Sequence, residues 1–270
     1  MSFLVRTWNV FHGRSHPPGR RLFLERMVRL ASEDRPAILC LQEVPPWALE
    51  RLGEWSGMTV YGEVAARPSI GPLPSTAEIG RRLTGLHPPR LLGAFSGQAN
   101  AILLDPALKV LEERSIVLNA RAFRSAQGRW LGLPLVDGLY WAKERRVCQV
   151  VRVRLTDGRA AVVANFHATG SRDKRIPDAE VLRAATFADG FAAPDEICIL
   201  AGDFNVTAER STTLCELTGP EWGFSAAGAG IDHVLVRGAA ADEPVRWPIA
   251  RRQVDGFVVS DHAPVEVTVS

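Results

Sequence analysis

The sequence predicts an α/β fold in which two packed sheets are flanked by helices. Ten apolar runs have the length and the β-branched or Leu-rich content of strands, which is too many for one small sheet. Four segments carry helical patterns, and they fall between strands rather than in a block of their own. Five of the strand ends break off in short polar clusters.

In chain order, residues 3–7 form a strand that runs into Trp8-Asn9-Val10. Residues 20–31 set Leu22, Phe23, Met27 and Leu30 on one stripe and predict a helix. Residues 38–41 are a strand ending in Gln42-Glu43, with a short helix at 46–53 behind it. Strands follow at 59–64, 101–104 and 110–117, then at 147–155 and 160–166, the last ending in Asn165-Phe166-His167. A helix at 178–191, with Val181, Leu182, Ala185 and Phe187 inward, leads to the strand 197–201 and to Gly202-Asp203-Phe204-Asn205. A helix at 208–217 and strands at 233–236 and 264–269 complete the pattern, with Ser260-Asp261-His262 just before the last strand. Two stretches break the rhythm. Residues 67–96 are rich in Pro and Gly around a short helical piece at 76–83, and residues 119–144 show few regular signals. The second stretch sets Arg121, Arg124 and Arg129 beside Trp130, Tyr140 and Trp141. That is either a phosphate-gripping, base-stacking surface or a solvated loop pinned by its tryptophans.

Composition excludes several classes. Lys+Arg 32 against Asp+Glu 30 leaves a net charge of +2, so any polyanion has to be held by a local patch. Cys40, Cys148 and Cys198 lie in apolar runs and read as small hydrophobes, and four cysteines without close pairing predict neither a zinc site nor a disulfide framework. There is no Gly-x-Ser-x-Gly elbow and no Gly-x-x-x-x-Gly-Lys-Ser/Thr loop. Without a signal-like start or an 18-residue apolar run, a cytoplasmic monomer with no transmembrane segment is the expectation. Asn9 and Asp261 can share a pocket only if the first and last strands are neighbours, so residues 1–270 are expected to form one domain.

The clusters carry the chemistry. A buried strand that ends in Asn, Glu, Asp or His has begun to present side chains to something polar. Asp203 is delivered by an apolar strand, Gly202 permits a sharp exit, and Asn205 can face the same side. A carboxylate beside an amide suits orienting a water while donating to a phosphoryl oxygen. Glu43 at a strand end points to a cation, although a helix start behind it would also favour a carboxylate. Asp232 pairs with His262, holding its tautomer and raising its pKa, and leaves Asp261 free for a metal. Asn165 and His167 share one side of a strand end. His12, His16, His87 and His233 lack such context and read as surface or turn residues. Oxygen ligands and imidazoles without cysteine ligands point to Mg²⁺-assisted hydrolysis.

Taken in order, these residues resemble the endonuclease/exonuclease/phosphatase superfamily, which includes deoxyribonuclease I, exonuclease III-type repair nucleases, sphingomyelinases and inositol polyphosphate 5-phosphatases. The resemblance spans nearly the whole chain. It implies a deoxyribonuclease I-like, four-layer α/β/β/α sandwich of mainly antiparallel sheets, with the pocket at one end. It implies that Asn9 and Glu43, helped by Asp261, hold Mg²⁺ or Mn²⁺, that Asp203 and Asn205 handle water and phosphate, and that Asp232 orients His262. His167 joins them as a catalytic residue, with Asn165 on the substrate. Arg145 and Arg146 resemble a basic residue that contacts substrate phosphate in several branches, or they belong to a solvated charge run. The implied activity is phosphodiester hydrolysis, with nucleic acid as the leading substrate and a small or lipid-derived phosphate ester as the alternative. A phosphate-binding protein without turnover is a third reading. Phe11 stands where exonuclease III-type enzymes carry an acidic residue, and His167 where they carry tyrosine, so the sequence leans towards the deoxyribonuclease I and sphingomyelinase branches. The acidic partner that such a histidine often has is not identifiable from the sequence.

Overall fold

Strand alternation explains both the layers and the position of the pocket. The computed structural model describes residues 2–67, 69–70, 73–74, 76 and 97–270. One sheet contains β1 (Phe3–Asn9), β2 (Ile38–Val44), β3 (Thr59–Ala66), β4 (Gln98–Leu104), the short β10 (Val245–Arg246) and β11 (Val265–Val269), in the order β10-β11-β1-β2-β4-β3. The other contains β5 (Lys109–Val117), β6 (Val147–Arg154), β7 (Ala160–His167), β8 (Ile197–Asp203) and β9 (Asp232–Arg237), in the order β9-β8-β7-β6-β5. All pairings in these sheets are antiparallel except β1 with β2 and β7 with β8.

Three apolar layers hold the fold together. Val5, Ile38, Cys40, Val163, Ile199 and Ala201 pack between the sheets. Alternate residues of the same strands, such as Trp8, Leu39 and Leu41, pack under α1 (Leu24–Ser32) and α2 (Leu49–Ser56). On the far side, Val162, Ala164, Phe166, Cys198 and Leu200 pack under α5 (Arg175–Phe191) and α6 (Thr212–Leu217). Helices cover the outer faces of both sheets, giving the α/β/β/α order. The three apolar-run cysteines are buried and free.

The irregular reading of residues 119–144 needs correction. This segment is a helical pair, α3 (Arg121–Trp130) and α4 (Leu135–Trp141). Buried Trp141 packs edge-on against Phe123, and Asn119 Nδ2 donates to Trp141 O and Glu144 O. Phe123, Ala126 and Trp130 stand at helical spacing, but no residue of α3 is buried and its Arg, Gln and Gly content gives it the look of a loop in sequence. The helical piece expected at 76–83 and His87 lie outside the described residues, apart from Thr76.

Candidate active site

Because two parallel strands end on the same side, the pairs β1/β2 and β7/β8 deliver their last residues to one edge of the sandwich. Asn9 sits in register with Gln42, and His167 with Asp203. Along each of these strands the face that is apolar between the sheets becomes polar at this edge: Val5 gives way to Thr7 and Asn9, Val163 to Asn165 and His167, and Ala201 to Asp203.

Glu43 does not follow that alternation. The β2–β4 register shifts between Leu41 and Val44, and Glu43 takes a left-handed φ of 53°. This bulge sets Glu43 Oε1 at 3.2 Å from Asn9 Nδ2, which also donates to Asp203 Oδ2 at 3.0 Å. Asn9 Oδ1 accepts from the Phe11 amide. Gly202 makes the turn to Asp203 possible: a Cβ there would lie 2.0 Å from Phe166 O. Beyond it, the Asn205 amide donates to Asp203 Oδ1 at 3.1 Å, and Asn205 Nδ2 donates to Ala168 O.

Two imidazoles flank Asp203 Oδ2, His167 Nε2 at 3.4 Å and His262 Nε2 at 3.7 Å. His262 Nδ1 lies 2.9 Å from both oxygens of Asp232. The Ser260 hydroxyl fixes the loop by donating to Asn9 O and accepting from the His262 amide, while Trp8 Nε1 donates to His262 O. Burial works against a charged His262, but the bond to Asp232 and the charges of Asp203, Asp232 and Asp261 outweigh it and raise the pKa to about 10. Burial raises the Asp203 pKa, with Asp232 and Glu43 adding to it and His262 and Asn9 opposing it. His167 is held well below its ordinary value by burial and by Arg146, His262 and His12.

Asn165 does not face a substrate. It is wholly buried, donates to Leu41 O and Ala101 O across the sheets, and accepts from Gln42 Nε2. Both its amide hydrogens are therefore spent on joining the sheets beside the bulge. Arg145 is likewise not in the site, because its Nη1 donates to Val64 O and Ala65 O at the end of β3. Arg146 is in the site, but against His167 rather than open to solvent: Nη1 lies 3.1 Å from His167 Nδ1 and Nη2 donates to Glu144 Oε2 at 2.8 Å. Asp261 is exposed beside the pocket, with partial burial and Glu43 raising its pKa against the pull of His262.

Two histidines differ from their sequence reading. His12 is buried, with Nε2 3.4 Å from Glu43 Oε2, and burial lowers its pKa against the pull of Glu43. It sits at a φ of 51° in a turn after β1, a position that no periodicity marks; only its nearness to Asn9 in the chain hinted at it. His233 is buried in β9, where Nε2 meets Val206 O and the ring packs edge-on against Phe204. His16 is exposed in a turn, as expected.

The donor set fits a hard divalent cation. Glu43 and Asp203 share the Asn9 amide, Asp232 lies beside Asp203 with Asp261 nearby, and no lysine or arginine pairs with Glu43 or Asp203 among the described residues. Asp203, Asp232 and His262 also bring ligand atoms within 4.8 Å of one another, but His262 Nδ1 is already engaged by Asp232. Asn9 turns its amide nitrogen to Glu43, so to ligate a cation there it has to present its oxygen instead and give up the bond from Phe11.

A groove of about 920 Å³ opens beside Asn205, lined by Arg172, Lys174 and Arg210 together with Asp137, Val136 and Tyr140. Above it, Leu135, Val136 and Leu139 of α4 are 65–81% exposed.

Fold and site together define the class, a phosphoesterase-type α/β/β/α sandwich with acids and imidazoles gathered at one end of its sheets. The family model "Endonuclease/Exonuclease/phosphatase family" matches residues 7–262, and the chain belongs to that family. Among solved structures, an endonuclease/exonuclease/phosphatase from Bacteroides vulgatus superposes with a TM-score of 0.68 at 12% identity, covering 100% of this chain and 99% of the other. One from Beutenbergia cavernae gives 0.66 at 14%, covering 99% and 71%. TDP2 from Caenorhabditis elegans gives 0.61 at 15%, covering 100% and 74%. No curated protein sequence matches the chain.

Proposed function

We propose that residues 1–270 act as one catalytic unit, a divalent-metal-dependent hydrolase of phosphodiester bonds whose substrate is nucleic acid. The observation that carries this reading is the convergence of Asn9, His167 and His262 on one carboxylate oxygen of Asp203, with Glu43 on the same Asn9 amide. Asp203 orients the attacking water, and its raised pKa makes it a stronger base than an ordinary carboxylate. The backbone amide of Asn205 holds its other oxygen. Asp232 keeps His262 charged and aimed, so that it can stabilise or protonate oxygen on the phosphorus. Mg²⁺ or Mn²⁺ held by Glu43, with Asp261 and the turned amide of Asn9, would supply the positive charge that the phosphoryl oxygens need. The three basic residues of the groove, against one acidic residue, favour a polyanion.

A second reading, a small or lipid-derived phosphate ester, is favoured by the exposed aliphatic residues Leu135, Val136 and Leu139 of α4, an apolar surface beside the groove. Turnover of DNA, RNA, inositol phosphates and sphingomyelin, each with Mg²⁺ and with chelator, separates the two. For nucleic acid, log affinity should fall with log salt by roughly 0.7–0.9 per phosphate contacted. Flat salt dependence with turnover of the lipid or inositol substrates refutes the first reading.

A further inference from the structure

The two imidazoles beside Asp203 have opposite neighbours on their outer nitrogens. His262 Nδ1 faces the two oxygens of Asp232, so it donates there. His167 Nδ1 faces Nη1 of Arg146 at 3.1 Å. A guanidinium has donors only and does not lose a proton in proteins, so the nitrogen opposite it has to accept. The ring proton is then confined to Nε2, which faces Asp203 Oδ2 at 3.4 Å and Glu43 Oε1 at 4.0 Å. A second proton on Nδ1 would set N–H against N–H and place two cations in contact where the side chains are 8% and 9% exposed. The guanidinium is not free to leave: Glu144 holds Nη2, and Asn119 Oδ1 accepts from the Arg146 backbone amide at 2.8 Å.

We propose that Arg146 is a positioning residue that locks His167 as the Nε2–H tautomer, making His167 a fixed hydrogen-bond donor towards Asp203. His167 could pass on its own proton only by gaining one at Nδ1, which Arg146 blocks.

Two-bond ¹H–¹⁵N imidazole spectra of the metal-free protein test the lock at neutral pH, with His167→Gln giving the assignment. The expected result is an unprotonated Nδ1 and a protonated Nε2 on His167, kept in Arg146→Lys and mixed in Arg146→Gln, whose amide can accept as well as donate. A proton on Nδ1 of the wild-type ring overturns the proposal whatever the activity.

Discussion

Replacing Asn165 with alanine separates two views of that residue, substrate contact or sheet tie. Its side chain makes three buried hydrogen bonds, to Leu41 O, to Ala101 O and from Gln42 Nε2. At about 0.5–1.5 kcal/mol each, and with a small void added, the loss is roughly 2–4 kcal/mol. For a domain of this size that lowers Tm by roughly 5–15 °C. Urea and thermal unfolding of the chelated protein measure it. Asn165→Leu, which restores volume but no hydrogen bonds, should remain destabilised. Because Asn165 fixes the strand beside the bulge that aims Glu43, turnover should fall too. A substrate contact predicts a raised KM with stability unchanged; stability within about 0.5 kcal/mol of wild type would refute the structural assignment.

Glu43→Gln should cut Mg²⁺-dependent turnover by about 10²-fold or more, while the chelated protein loses no stability, since the carboxylate stands among other carboxylates; steady-state kinetics beside a melting curve check both. His262 has a folded pKa of about 10 against 6.5 unfolded, so its protonation stabilises the fold fully below pH 6.5 and the benefit is lost as pH rises through 10. The stability gap between wild type and His262→Gln without metal should therefore shrink across that window, by at most about 1.4 kcal/mol per pH unit. A gap that widens with pH contradicts the pairing with Asp232. Gly202→Ala should fail to accumulate as folded protein, because its methyl meets Phe166 O, whereas Gly190→Ala, whose Cβ meets nothing within 4 Å, should melt within a few degrees of wild type. Circular dichroism of the two proteins compares them.

Where a side chain obeys alternation, its destination was legible in the sequence. Asp203 continues the inward face of Ile197, Ile199 and Ala201, and Asn9 continues that of Val5, so polar residues at those steps had to meet between the sheets. The pairing of His262 with Asp232 followed from the need of an imidazole for an acid, and the two are in contact. Legibility failed where local backbone or a distant carbonyl decides. Glu43 reaches the site through a bulge, which depends on the partner strand. His12 is turned inward by its own φ, and Arg145 is diverted by carbonyls of β3 that are 80 residues away in the chain. Asn165 has the polarity of a site residue, but its depth below the pocket is set by how closely the two sheets approach. The partner of His167 was sought among acids, and a guanidinium stands there instead.

β1 pairs with β11, and Asn9 O accepts from Ser260 Oγ across 251 positions of the chain. As a ribosome builds this polypeptide from its amino end, Glu43, His167 and Asp203 can all be in place before residue 262 has emerged. The site is then completed by the turn at residues 260–262, so chains clipped before it should be inert.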